Sequence, residues 1–264
     1  MGNNRIERNS KIFHEELNKC ILPEVAELPN SKCKRHMVEN IEDFVVCHHK
    51  QLPILYRYSP ADFFNISALL EDNIYLVSAR YMNDEHEGQV WHAILDPEEN
   101  ETYKQLIQTQ VYLKSFSEDK NSIYMWKNYA DNFSGICVAY DFSSASEELL
   151  RKLYPVQYSP IAFRCSDHKI AISTPYLFMR KSMRWEEEHE WRFIETGAVS
   201  KPKPVNIKKY IRAIYFGIGM DDSLKNHIEH QMRLNRRSIQ LYDMKMTITA
   251  KKRVENDNGD PNFR

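Results

Sequence analysis

A chain of 264 residues with 42% hydrophobic and 12% aromatic side chains can build one substantial core, and 28% charged residues solvate it. A formal net charge of −1 argues against a non-specific nucleic-acid binder, which carries a large positive excess, and 7 glycines exclude a collagen-like or Gly-rich linker array. Neither G-x-G-x-x-G nor G-x-x-x-x-G-K-[ST] occurs, so any nucleotide is held without a Rossmann fingerprint or a Walker loop.

The opening decapeptide MGNNRIERNS is polar, with no secretory apolar stretch, and nothing resembles a run of about 18 apolar residues able to cross a bilayer. The 5 cysteines are odd in number and scattered, without the spacing of a disulfide framework. A cytoplasmic protein with no membrane partner is the expectation.

Residues 1–50 read as a helical N-terminal extension. Ile6, Ile12, Phe13, Leu17 and Ile21 recur at roughly helical spacing until Pro23, and a second apolar run spans Ile41 to Val46. Cys33, His36, Cys47, His48 and His49 lie in this segment, but neither half matches a common zinc spacing. The extension suits a partner-binding arm.

From residue 51 the texture changes, and a main α+β domain is expected over 51–250. Ile54–Tyr58 reads as a strand, followed by a helix from Pro60 that carries Phe63, Phe64, Ile66, Leu69 and Leu70. A strand over Ile74–Val77 leads to the polar loop Asn83–Gly88. A helix near 89–110, a strand Gln110–Ser117, a short helix Ile123–Tyr129 and a strand Gly135–Phe142 follow. Further expected elements are a strand at Val156–Tyr158, a helix over 175–183, and strands Glu188–Glu195, Ile211–Phe216 and Ile239–Ile248. A helix Asp221–Arg236 begins on Asp221 or Asp222 as N-cap. Residues 251–264 form a loose polar tail. Many short strands without regular βαβ alternation indicate an α+β fold: a mixed, mostly antiparallel split sheet with flanking helices.

Three islands place polar groups where strands otherwise demand apolar ones. In Tyr56-Arg57-Tyr58, Arg57 projects opposite to its neighbours, so its fork can grip phosphate while Tyr58 stacks on a ring. The competing reading is a solvated edge-strand arginine. In Ser115-Phe116-Ser117-Glu118 both hydroxyls share a face and can orient a ribose or an amide. Trp126 and Tyr129, three apart on a helix, can wall a ring slot or serve as plain core. In Trp185-Glu186-Glu187-Glu188-His189-Glu190-Trp191-Arg192-Phe193, a strand reading sends Glu186, Glu188, Glu190 and Arg192 one way. His189, Trp191 and Phe193 then point into a core. Such carboxylates can hold a sugar hydroxyl or balance an oxocarbenium ion. Alternatively they form a solvated, salt-bridged face with Lys181, Arg184 and Arg192.

With these residues together, the chain resembles the bacterial domain-of-unknown-function family 2971. The matching elements are Leu55-Tyr56-Arg57-Tyr58, Asn83-Asp84, Ser115-Phe116-Ser117-Glu118 and Met125-Trp126-x-x-Tyr129-Ala130-Asp131-Asn132. They continue through Gly135, Val156-x-Tyr158, Lys181-x-x-x-Trp185-x-x-Glu188-x-Glu190-Trp191-Arg192 and Ile211-x-x-Ile214-x-x-Gly217. The resemblance covers roughly 54–250. It departs at Phe133, where a histidine is expected.

The island order is similar to the Arg–Ser–Glu plan of ADP-ribosyltransferases, which implies an ADP-ribosyltransferase-like fold with NAD as substrate and no metal. By that resemblance Arg57 contacts NAD phosphate or ribose, and Ser115 and Ser117 support the nicotinamide-ribose site. Tyr58, Trp126 and Tyr129 complete the NAD-binding set. Glu190 takes the catalytic part, binding the ribose 2′-hydroxyl as nicotinamide leaves, and Glu188 positions the acceptor. The implied protein is an NAD-dependent ADP-ribosyltransferase or NAD glycohydrolase, a toxin or phage-defence effector. Its acceptor is a protein, nucleic acid, small molecule or water. The main rival is a non-catalytic nucleotide- or ligand-binding domain whose glutamates make structural salt bridges. A nuclease holding Mg²⁺ through Asp84, Glu85, Glu87 and the Glu186–Glu190 run is the third reading.

Overall fold

Strands that alternate polar and apolar residues bury one face, whereas β-branched and aromatic runs bury both. Both kinds assemble here into one principal sheet. The structure, a computed structural model, describes residues 15, 41–82, 91–92, 97–159, 164–165, 174–197, 204–234 and 239–245. Its early strands are β1 (Leu55–Ser59), β2 (Asn73–Ile74), β3 (Val77–Ser78), β4 (Trp91–His92) and β5 (Val111–Ser117). Then come β6 (Ile136–Tyr140), β7 (Leu153–Pro155), β8 (Gln157–Ser159), β9 (Arg164–Cys165) and β10 (Arg180–Ser182). The last are β11 (Glu190–Thr196), β12 (Val205–Asn206), β13 (Ile211–Phe216) and β14 (Gln240–Asp243).

The principal sheet runs β14-β13-β6-β1-β5-β11-β7, with β3 also paired to β5. Every ladder within it is antiparallel except β13–β14. Small two-stranded pairs, β10–β8, β12–β2 and β4–β9, lie beside it. This is a mixed α/β architecture with a mostly antiparallel open sheet and helices, as the pattern of short strands indicates.

β6 is central and buried at all five positions. Its Ile136, Val138 and Tyr140 enter the large core with Leu55, Phe116, Trp191, Phe193 and Ile214. Its Cys137 enters a smaller aromatic cluster with Tyr58, Met125, Trp126 and Ala130 on the other face. Helix Phe63–Leu70 closes over the large core through Ile66 and Leu69. It starts at Asp62, whose carboxylate accepts from the Asn65 amide at 2.8 Å, an N-cap that satisfies a first-turn donor. Helix Asp222–Leu234 buries Ile228 and Met232, and Asp221 accepts from the Leu224 amide at 3.0 Å.

Several boundaries differ from the sequence reading. The expected strand at 74–77 divides into β2 and β3, which pair with β12 and β5. The expected helix over 89–110 is β4 followed by helix Pro97–Gln110, because Pro97 takes the first helical turn where its missing N–H costs nothing. The helix expected over 175–183 ends at Phe178, and β10 follows, paired in parallel with β8. The final strand is four residues long, Gln240–Asp243. The apolar run of the N-terminal segment is a helix over 41–47, and Ile41, Phe44 and Val45 join the large core. Packing therefore continues across the boundary expected after residue 50. The helix proposed around Ile6–Ile21, the loop Asn83–Gly88 and the tail 251–264 lie outside the described residues.

Candidate functional site

The three motif strands, β1, β5 and β11, are neighbours in the sheet. Tyr56 is the ladder partner of Ser117, Ser117 of Glu190, and Ser115 of Arg192. Partners across a ladder project to the same face. Tyr58, Ser115, Ser117, Glu190 and Arg192 therefore share the face that carries the small aromatic cluster.

Helix Ile123–Tyr129 lies over that face, capped by Ser122, whose hydroxyl accepts from the Met125 amide at 3.2 Å. Its Trp126 meets Tyr58 edge-on with ring centroids 5.2 Å apart, and the indole N–H donates to the Lys120 carbonyl at 3.0 Å. The Tyr58 hydroxyl donates to the Asp119 carbonyl at 2.5 Å. Ser117 is wholly buried and accepts from the Asp119 amide at 3.1 Å. The Tyr129 hydroxyl donates to Glu188.

At the start of β11 sits a buried ionic cluster of two carboxylates and two cations. Arg192 is 0% exposed and grips Glu190 with Nε at 2.8 Å and Nη2 at 2.9 Å, while its Nη1 donates to the Phe178 carbonyl at 2.7 Å. Lys181 Nζ bridges Glu188 at 2.5 Å and Glu190 at 3.0 Å. Ser115 also helps to hold the Glu190 carboxyl down, and the Glu190 amide donates to the Tyr158 hydroxyl at 2.8 Å. Lys181 further stands 4.8 Å from the centre of the Trp185 ring. The Trp185 indole N–H is buried and has no hydrogen-bond partner.

The electrostatics of the two glutamates diverge. Burial pushes the Glu190 carboxyl up, but Arg192 and Lys181 override it and hold the group at about 2. Glu188 is raised, by burial first and by the Glu190 charge, against the opposing pull of Lys181. Burial also lowers Lys181, and the two carboxylates outweigh it, so the ammonium titrates above its ordinary value. One carboxylate is thus fixed in its ionised form while its neighbour holds a proton more readily, which are the two states that acid–base chemistry requires.

Two expectations from the strand reading are corrected by local geometry. Glu188 is the last residue of a 3₁₀ turn, Met183–Glu188, and His189 follows in the left-handed region with φ 43°. The turn replaces strand alternation: Glu186 and His189 face solvent while Glu188 and Glu190 are buried. The salt-bridged face is consequently an interior one.

Arg57 stands apart. It projects to the large-core face, its Nη1 near the Ser115 carbonyl at 3.4 Å, and it lines a cavity beneath helix Phe63–Leu70. The sheet lies between it and Glu190, so the set expected to hold NAD is divided. Tyr58, Ser115, Ser117, Trp126, Tyr129, Glu188 and Glu190 come together, and Arg57 does not.

Tyr158 and Lys181 are site members that alternation did not single out, although both stand in the quoted motifs. They meet as ladder partners of β8 and β10. Phe133, at the position of the missing histidine, packs against the small aromatic cluster. Among the described residues no group of three or more His, Cys, Asp or Glu side chains could hold a metal ion. Cys47 is exposed, while His48 and His49 bond to the Phe44 and Val46 carbonyls at 2.9 and 2.7 Å. Cys33, His36, Asp84, Glu85 and Glu87 lie outside the described residues. Among those described, no helix is long and apolar enough to cross a membrane.

No family model, curated protein or solved structure matches the chain.

Proposed function

We propose that the chain cleaves NAD at its nicotinamide–ribose bond, as an ADP-ribosyltransferase or an NAD glycohydrolase, using the face built by Ser115, Ser117, Tyr129, Glu188 and Glu190. The observation that carries this reading is that Tyr58, Ser115, Ser117 and Glu190, from the adjacent strands β1, β5 and β11, share one face under an aromatic helix, although Arg57 lies on the other face. In the reaction the bond between ribose C1″ and nicotinamide N1 breaks with its electron pair leaving on nitrogen. A lone pair of the acceptor, or of water, then closes on C1″ as the acceptor loses a proton. Glu190, kept ionised by Arg192 and Lys181, accepts a bond from the ribose 2′-hydroxyl and offsets the positive charge forming beside it. Glu188, whose proton affinity is raised, takes the acceptor proton. Ribose entry requires the Tyr129 hydroxyl and Lys181 to yield their bonds to the carboxylates, and the unpartnered Trp185 N–H offers a donor nearby. A toxin or phage-defence role fits such an activity.

A second reading is favoured by the pairing itself. Two carboxylates meet two cations, and Glu190 is 4% exposed, which suits glutamates that lock a non-catalytic ligand-binding domain. Incubating the purified chain with NAD and following nicotinamide separates the two. The first reading expects release, reduced in Ser115→Ala, whose hydroxyl lies beside Glu190, by more than any loss of folded protein that a thermal melt registers. No release by wild type, with water or cell lysate as acceptor, leaves the second.

A further inference from the structure

Beneath helix Phe63–Leu70, on the sheet face opposite Glu190, lies a cavity of about 540 Å³, within the roughly 300–1,000 Å³ of small-molecule sites. Its floor is apolar, formed by Ile136, Val138 and Tyr140 of β6 with Leu69 and Ile74. Its polar lining includes Arg57, Ser59, Asn65, Ser67 and Asn73, together with Glu71. The Glu71 carboxylate already accepts from the Tyr75 hydroxyl at 2.9 Å. Phe63 and Phe64 stand at the mouth 78% and 81% exposed, where the helix could have carried polar residues at no cost.

Arg57 decides what the cavity takes. Its one hydrogen bond is the 3.4 Å contact to the Ser115 carbonyl, and among the described residues it makes no ion pair. Burial lowers its guanidinium below the ordinary value, against the opposing pull of Tyr140 and Asp62. The side chain is half-buried at the cavity wall, and a guanidinium fork that meets only one carbonyl there has donors left for an anion. A salt-bridged arginine elsewhere in this fold, Arg192, shows how such a group is otherwise satisfied.

We infer that this cavity is a second ligand site, separate from the Glu190 face, for a small molecule that joins a carboxylate or phosphate head to a flat apolar body. The head sits on the Arg57 fork. The body lies on the β6 side chains under the two exposed phenylalanines. The inference is independent of whether NAD is cleaved on the other face.

Isothermal titration calorimetry on the full chain tests it with benzoate, phenyl phosphate, inorganic phosphate and neutral benzyl alcohol as probes. Benzoate or phenyl phosphate should bind, with the tighter of the two identifying the head group. Benzyl alcohol and inorganic phosphate should bind at least about tenfold more weakly, since each lacks one half of the ligand. Arg57→Gln should weaken the aromatic acid by a similar factor. Ser67→Phe, placed on the half-buried helix face to fill the cavity, should abolish binding and answers for the case in which Arg57→Gln does not fold. Absence of binding by both aromatic acids at millimolar concentration overturns the site, as does full affinity in Ser67→Phe. Displacement of the bound acid by NAD would overturn its separateness.

Discussion

Replacing Glu190 by Gln leaves Lys181 and Arg192 facing one remaining carboxylate in an interior that admits little water. Breaking a buried ion pair on one side costs about 3–5 kcal/mol, well above the ~1 kcal/mol of an exposed pair. Chemical denaturation of Glu190→Gln should register the larger figure, and a loss under ~1 kcal/mol would mean the cluster is solvated. For this reason Ser115→Ala, which removes no charge, is the cleaner probe of chemistry. Acid should act on the same cluster. Glu190 titrates at about 2 in the folded chain against an ordinary 4.5, so its contribution is complete above pH ~4.5 and is lost as pH falls towards 2. Glu188, shifted upward, works with the opposite sign and partly offsets that loss. Melting temperatures measured from pH 6 downwards should fall more steeply through that window in wild type than in Glu190→Gln; parallel curves would remove Glu190 as the cause. The pairing of Glu190 with Arg192 on one face, and of Trp191 with Phe193 on the other, was legible from period-two alternation. The burial of Glu188 was not, because it lies in a 3₁₀ turn rather than the strand, and its buried partners Lys181 and Tyr129 come from other elements.

Elements are joined here by close backbone contacts that composition alone conceals. After helix Ile123–Tyr129 the chain passes through Asp131, Asn132 and Phe133, all left-handed with φ 47°, 49° and 70°, before entering β6 at Ile136. The Gly219 amide donates to the Phe133 carbonyl and the Gly217 amide to the Gly135 carbonyl, each at 2.9 Å, so the ends of β6 and β13 are stitched at this turn. A Cβ on Gly217 would stand 2.1 Å from the Phe133 oxygen, whereas one on Gly219 would meet nothing closer than 3.6 Å. Gly217→Ala should therefore cost at least about 2–3 kcal/mol, as overpacking against fixed backbone does, and Gly219→Ala should be close to neutral. Equal urea midpoints for the two variants would contradict this geometry. The motif Ile211-x-x-Ile214-x-x-Gly217 marked the glycine as special without saying why. The reason is a backbone crossing between segments some eighty residues apart in sequence, roughly the span from Phe133 to Gly217. By contrast β13 and helix Ile123–Tyr129 appear where expected, since each is set by its own apolar pattern and, for the helix, by its Ser122 cap. The short strands β2, β3, β8 and β10 depend on partners remote in sequence, and local propensity reads them less well.

At the scale of the molecule, one sheet with both faces covered separates the glutamate cluster from the Arg57 cavity, so the two sites share a wall of β1 and β5. The mixed class was legible in the sequence because many short strands without βαβ alternation leave few architectures. The order of the strands was not, since it depends on pairings that no local pattern encodes. At the N-terminal extension the change of texture and the packing of residues 41–47 point to different edges. Its polar, cysteine- and histidine-bearing stretch suggests a separable arm through residue 50, yet Ile41 and Val45 are 0% exposed and Phe44 is 7% exposed within the large core. Polar contacts hold the same turn: Tyr154 donates to Glu42 at 2.5 Å and Arg151 to Asp43 at 2.8 Å. Deleting residues 1–50 removes three core side chains at once and strips Tyr154 of its buried acceptor. Ile41→Ala alone should cost about 2–5 kcal/mol, the range for truncating a fully buried aliphatic side chain. That is a large share of the ~5–15 kcal/mol that stabilises a typical domain, so the full deletion should leave a chain without fixed packing. Near-UV circular dichroism and a thermal melt of the truncated chain provide the check. Loss of near-UV signal with a broad melt is the expected outcome. A sharp melt with native near-UV intensity would show that the helix over 41–47 only decorates the core, and would restore residue 50 as the domain edge.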